Sequence, residues 1–219
     1  RALQQNAREL NLKNEQLQHY IESNLQLENF AYMASHDLKE PLRAIICFSQ
    51  LLHKKYRGYL DEEGQEYVDY ITTSTRNMEN MISDLLAYAK IGTQESRFER
   101  VAFQSLLKEA QINLFTPILE SRAVITTENL PATIYCVPSR IKQLLQNLIS
   151  NGIKFQEKGS APQICINGEE HPEHWKIIVQ DNGLGIKPDF QDKIFLLFRK
   201  LHSKHQFEGT GIGLAICKK

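Results

Sequence analysis

The sequence predicts a fold in two parts, a helical hairpin up to about residue 90 and a mixed α/β segment from about residue 95. Three observations carry that division. In the first part apolar residues recur every three or four positions, as in Val68, Ile71, Thr75, Met78, Ile82, Leu85 and Ala89. In the second, short β-type runs appear at 124–127, 133–137, 163–169 and 175–180. Glycine-rich segments close two stretches of this second part, at 181–185 and 209–213. Two helices cannot enclose a core, so the hairpin is expected to pair with a second copy as a four-helix bundle.

Composition excludes several classes of function. Of the 219 residues, 26 are Lys or Arg and 26 are Asp or Glu, so no net charge draws the chain to nucleic acid or an anionic membrane. No apolar run approaches the ~20 residues that span a bilayer. The chain starts at Arg1 without a secretory signal and is expected to be a piece of a longer protein. Cys47, Cys136, Cys165 and Cys217 lack metal-ligand spacing and read as small buried hydrophobes in a reducing cytosol.

Residues 1–28 carry heptads, with Leu3, Leu10 and Leu17 in one seam position and Ala7, Asn14 and Ile21 in the other. That spacing fits a two-stranded coiled coil, in which a single Asn fixes register, or an ordinary surface helix. The helix is expected to continue to about Lys55, with Ala34, Leu38, Pro41, Ile45, Phe48 and Leu52 as its apolar stripe. At ~100° per residue His36 lies on the solvent side of that stripe. An exposed imidazole can act as a nucleophile near neutral pH, and Asp37 beside it can orient the ring or take its proton. A surface histidine of no consequence fits these residues equally. Pro41 offers no N–H to the Asp37 carbonyl, which predicts a bend beyond the histidine. A glycine turn at 57–61 then leads into the second helix.

From Val101 a short strand and a helix to about Arg122 are expected, followed by two strands and a helix opened by Pro138. Ile141, Leu145, Leu148 and Ile149 line one face of that helix, and Asn147, Asn151 and Lys154 the other. The polar strip reads as a solvated face or as a magnesium and phosphate site, because amide oxygens suit a hard hydrated cation. A hairpin over 163–180 delivers Asp181, Gly183 and Gly185 at its end. Asp181 can accept a hydrogen bond from an exocyclic amine, and the glycines allow close approach of backbone to a flat ligand. Asp-x-Gly-x-Gly also fits a plain turn. Gly209, Gly211 and Gly213 precede an apolar helical start, a backbone suited to anions but lacking the features of a P-loop or Rossmann turn. The intervening run Phe195–His205, with aromatics and basic residues including Lys200, reads as a mobile lid or as an amphipathic helix and loop.

In this order, the four segments resemble the sensor histidine kinases of two-component signalling. His36-Asp37-Leu38-Lys39-Glu40-Pro41 looks like the phosphoacceptor box and Asn147–Phe155 like the asparagine box. Asp181–Gly185 and Gly209–Gly213 resemble the two glycine boxes, and Phe195–Phe198 the phenylalanine box. The wording of the acceptor and lid regions looks most like phytochrome-type members.

The resemblance implies a signalling coiled coil (1–28), a dimerisation and histidine phosphotransfer domain (29–93) and an α/β-sandwich ATP-binding domain (97–219) short of the family's last strands. It implies that His36 takes the γ-phosphoryl of ATP with help from Asp37. Asn151 binds Mg2+ with support from Asn147, Lys154 and Lys200 face the phosphates, and Asp181 recognises adenine. Gly183, Gly185, Gly209, Gly211 and Gly213 form the pocket backbone. Implied partners are a second copy, a response-regulator receiver domain and an upstream sensor domain, in the cytoplasm, with no nucleic acid and no membrane segment. In the gyrase-like ATPases of the same fold a glutamate stands where this chain has Asn147, which cannot act as a general base. Gly152 replaces the family's usual alanine, a change that costs a helix ~1 kcal/mol. Glu40 occupies a position where phosphatase-competent members often carry Thr or Asn. The rival reading is a coiled-coil signalling scaffold with a degenerate nucleotide-binding domain.

Overall fold

A computed structural model describes residues 13, 18, 33, 35, 37–91, 97–201, 207 and 209–219. The heptad positions of 1–28, Ala34 and His36 lie outside these residues. Contacts divide the chain into two units, Arg1–Gln94 and Glu95–Lys219.

The first unit is a helical hairpin. Helix α1 covers residues 37–56 and continues through Pro41; a turn at 57–60 leads to α2, Glu62–Lys90. Asp61 caps α2, its Oδ1 accepting from Gly64 N at 2.8 Å, and Glu62 and Glu63 complement the dipole of the first turn. Gln65 Nε2 donates to the carbonyls of Arg57 and Leu60 and so ties the turn to the helix that follows it. His53 Nδ1 to Asp69 Oδ1 (3.4 Å) and Arg43 Nε to Glu79 Oε1 (3.8 Å) link the two helices.

The buried seam of α1 differs from the expected stripe. Ser35, Leu42 and Ser49 are buried, at seven-residue spacing, and across from them so are Val68 and Thr75, also seven apart. Leu38, Ile45, Phe48 and Leu52 are exposed, Phe48 by 67%. A pair of helices buries one narrow strip from each; the second apolar strip, with Ile71 and Met78 of α2, faces outward in the single chain.

The second unit stacks helices on sheets. Strand β1 (Glu99–Ala102) pairs antiparallel with β3 (Thr133–Cys136). Strand β2 (Val124–Glu128) runs parallel to β4 (Gln163–Glu170), which pairs antiparallel with β5 (Trp175–Asp181). Between them lie α3 (Phe103–Asn113), α4 (Phe115–Ser121) and α5 (Pro138–Lys154), and α6 (Gly213–Lys218) follows. The core joins Phe103, Leu106, Leu107 and Ala110 of α3 to Leu145 and Ile149 of α5 and Ile164 and Ile166 of β4. The single helix expected as far as Arg122 is two helices. The break at Leu114 (φ −105°, ψ 16°) lies just ahead of Pro117, which fits a first turn because it has no N–H to leave unpaired.

Gly168, buried in β4, marks where the chain crosses closest: a Cβ there would lie 2.4 Å from the carbonyl oxygen of Asn129. Gly168→Ala is expected to destabilise the chain by about 1–3 kcal/mol in urea denaturation, since backbone must move. An unchanged midpoint contradicts the close approach.

Of the four cysteines, Cys136 is buried and Cys165 and Cys217 are partly so, but Cys47 is exposed on α1, against the reading of all four as buried. Among the described residues no helix is long and apolar enough to cross a membrane.

Candidate functional site

Helix α5 organises the site. Pro138 occupies its first turn and the helix runs unbroken to Lys154. Leu145, Ile149 and Gly152 are buried. Asn147, Asn151 and Lys154 fall within ~60° of one another on the other side and are half-buried.

Gly152 brings the end of α5 against the sheet. A Cβ at this position would lie 3.0 Å from Ile164 Cδ1 and 3.2 Å from Asp181 Cβ. The glycine therefore does more than loosen a helix: it lets the last turn of α5 approach the end of β5, beside Asp181. Gly183 crosses the same helix end, since its Cβ would sit 2.5 Å from Phe155 O, and Leu184 N donates to that carbonyl at 2.9 Å. The exposed Asp181 accepts from Gly183 N through Oδ1 at 2.9 Å, which leaves Oδ2 for a ligand. Gly185 takes φ 66°, a conformation glycine adopts readily.

The second glycine segment reaches α5 from the other direction. A Cβ on Gly209 (φ 144°) would lie 2.3 Å from Lys154 Nζ, so the ammonium rests on this glycine. Lys154 Nζ also lies 5.0 Å from the centre of the Phe155 ring, against which Phe207 packs at 5.2 Å. A Cβ on Gly211 (φ 76°) would lie 3.0 Å from Phe198 C and Arg199 O, so this glycine too is passed closely by backbone. Gly213 begins α6 and its carbonyl accepts from Asn147 Nδ2 at 3.1 Å. The same amide nitrogen lies 3.7 Å from Cys217 Sγ. Burial pushes the Cys217 thiol up, against a smaller downward pull from Asn147.

The two asparagines therefore differ in use. Asn147 is committed to tying α5 to α6. The Asn151 amide makes no hydrogen bond among the described residues and is available to a ligand. Residues 191–198 form turns and bends in place of a helix, with Phe198 at φ 61°, and Lys200 is exposed just after them. Asp37 is exposed on α1, in the other unit.

Asn147, Lys154, Asp181, Gly183, Gly209 and Gly213 thus converge around the C-terminal half of α5. An amide oxygen on Asn151 suits a hard cation, the Lys154 ammonium an anionic chain, and the Asp181 carboxylate an amine. Among the described residues no cluster of three or more His, Cys, Asp or Glu side chains could hold a metal by itself, so a cation here needs oxygens from a ligand or water as well. Sequence reasoning missed the roles of Phe155, Phe207, Gln156 and Asn182. An aromatic directly after Lys154 was a usable signal for the first of these.

Two family models match the chain. Residues 26–94 match the His Kinase A (phospho-acceptor) domain, and residues 136–219 the Histidine kinase-, DNA gyrase B-, and HSP90-like ATPase. The chain is 43% identical over 205 residues to Cyanobacterial phytochrome A of Nostoc sp., covering 93% of this chain and 26% of that protein. It is 42% identical over 197 residues to Phytochrome-like protein Cph1 of Synechocystis sp., covering 90% and 26%. It therefore spans about a quarter of the length of these relatives. Among solved structures, full-length ShkA in complex with AMPPNP superposes with a TM-score of 0.62 at 25% identity, over 86% of this chain and 39% of that one.

Proposed function

The chain belongs to the sensor histidine kinases, and from that premise we propose that it transfers the γ-phosphoryl group of ATP to His36 and then to an aspartate on a response-regulator receiver domain. The observation that supports this reading is the meeting of α5 with Asp181 and both glycine segments, which brings groups suited to an amine, an anionic chain and a hard cation to the C-terminal half of one helix.

In this reading Asp181 accepts the amino hydrogen of adenine through Oδ2 and Lys154 faces the phosphates. Lys200 joins them from the lid, and the backbone at Gly183, Gly185, Gly209, Gly211 and Gly213 lines the nucleotide. Asn151 holds Mg2+ through its amide oxygen, and Asn147 supports it by fixing α6. The ion, when bound, draws charge from the phosphoryl oxygens. The His36 nitrogen lone pair attacks the γ-phosphorus, the P–N bond forms as the bond to ADP breaks, and the proton on the other ring nitrogen passes to Asp37. An amide at Asn147 cannot take a proton from water, so hydrolysis is disfavoured relative to transfer.

The outward apolar strip of Leu38, Ile45, Leu52, Ile71 and Met78 supports a homodimer built as a four-helix bundle. We assign the pair of domains to the cytoplasm, downstream of a sensor domain. The four free cysteines agree with a reducing compartment.

The test is the fate of the γ-phosphate. With γ-labelled ATP, acid-labile, alkali-stable label is expected on the chain in excess of free phosphate. Free phosphate without bound label indicates a gyrase-like ATPase, and neither indicates a signalling scaffold. Asp181→Asn is expected to weaken ATP about a hundredfold by calorimetry, because an amide N–H would face the amino group. Unchanged affinity removes the adenine assignment.

A further inference from the structure

Directly after Asp181, Asn182 uses every polar atom of its side chain. Its Oδ1 accepts from Gln163 N at 2.8 Å and from Gln156 Nε2 at 3.0 Å, and its Nδ2 donates to Ala161 O at 3.1 Å. Gln156 Nε2 also donates to Gly152 O at 2.6 Å. The Asn182 backbone N–H donates to Gln163 O at 3.2 Å. One side-chain pair thus fastens three pieces together: the last turn of α5 at Gly152, the start of β4 at 161–163, and the turn that follows Asp181.

Position matters here because Asp181 and Gly152 are packed at the limit of contact. Nothing covalent holds α5 and the end of β5 in register; they lie some 30 residues apart in sequence. The Gln156–Asn182 bridge is a side-chain link across that junction, and with Leu184 N on Phe155 O it fixes both the height and the rotation of the strand end. Gln156 keeps this bridge although its Oε1 is buried with no hydrogen-bond partner among the described residues, an arrangement unfavourable for folding alone.

We propose that Asn182 and Gln156 are positioning residues that hold Asp181 against α5 and thereby set the preference for a purine bearing a 6-amino group. The inference rests on the reading of Asp181 as the adenine-binding residue. Neither residue touches the base; each acts through the carboxylate. Asn182 is exposed, so removing its side chain leaves the hydrophobic core intact.

The test compares binding of ATP with binding of purine riboside triphosphate, which lacks only the amino group, by calorimetry on the 219-residue chain. The parent should prefer ATP. In Asn182→Ala and in Gln156→Met the ratio of the two affinities should fall about tenfold, the equivalent of one well-aligned hydrogen bond, while affinity for purine riboside triphosphate stays at the parent value. Gln156→Met removes the bridge together with the buried orphan oxygen, so its thermal midpoint should stay close to the parent's. Asn182→Asp keeps both acceptor contacts and should retain most of the preference. If both affinities drop in parallel, or the ratio is unchanged, the positioning role is overturned. A parent with no preference for ATP removes the adenine reading itself, and the two failures are thereby distinguished.

Discussion

A chain carrying His36→Gln takes up no phosphoryl group from ATP: label falls at least about 10³-fold, to background. Glutamine keeps the length, polarity and helix propensity of the position, but its amide nitrogen lone pair is delocalised and cannot attack phosphorus. ATP affinity should be unchanged, since the nucleotide residues lie in the other compact unit. Asp37→Asn should slow labelling by a smaller factor, ~10- to 100-fold, because it removes the proton acceptor and leaves the nucleophile. Filter-binding of the labelled chain, beside calorimetry of ATP, separates these outcomes. Full labelling of His36→Gln moves the acceptor elsewhere.

The second large effect concerns Asn151. Asn151→Ala should lower the labelling rate about 10²- to 10³-fold, the scale on which loss of one preorganised electrostatic group acts. Its amide makes no hydrogen bond among the described residues, and alanine is the better helix former, so the fold should not suffer. ATP binding measured in EDTA should therefore equal the parent's. Raising Mg2+ should recover part of the lost rate, and Asn151→Asp, which keeps an oxygen donor, should retain more of it. If the rate of Asn151→Ala follows Mg2+ as the parent's does, the amide is not the ligand. The contrast with Asn147 is informative, because that amide is already spent on Gly213 and Cys217, and its loss should loosen α6 instead.

The sequence made some of this legible because the signals were local. The two faces of α5 follow from a period of 3.6 residues, and the β4–β5 hairpin from alternation at Ile164, Ile166 and Gly168. Pro138 announced a helix start for the same reason that Pro117 broke the helix expected as far as Arg122; the second case was missed because a proline in a first turn and one in a helix interior look alike in a run of helix formers. The strip of α1 that is buried in the single chain is silent in the sequence for a different reason. Two apolar strips share the helix, and the one buried inside the hairpin is marked by serines at 35 and 49, whose small size suits close helix contact but carries no hydrophobic signal. The register of Asp181 against Gly152 and the bridge from Gln156 to Asn182 depend on contacts between residues more than 20 apart, which no periodicity encodes. Glycine patterns announced that the backbone comes close somewhere; the folded chain shows that Gly183 meets Phe155 and Gly209 meets Lys154.

One measurement bears most directly on phosphoryl transfer to an imidazole. A phosphorus NMR spectrum of the chain, taken in alkali after turnover with ATP and removal of nucleotide, reads the bond that has formed. Transfer to His36 predicts a phosphoramidate resonance on the protein that vanishes on acidification. A phosphoester or acyl-phosphate resonance, or inorganic phosphate as the sole product, contradicts it.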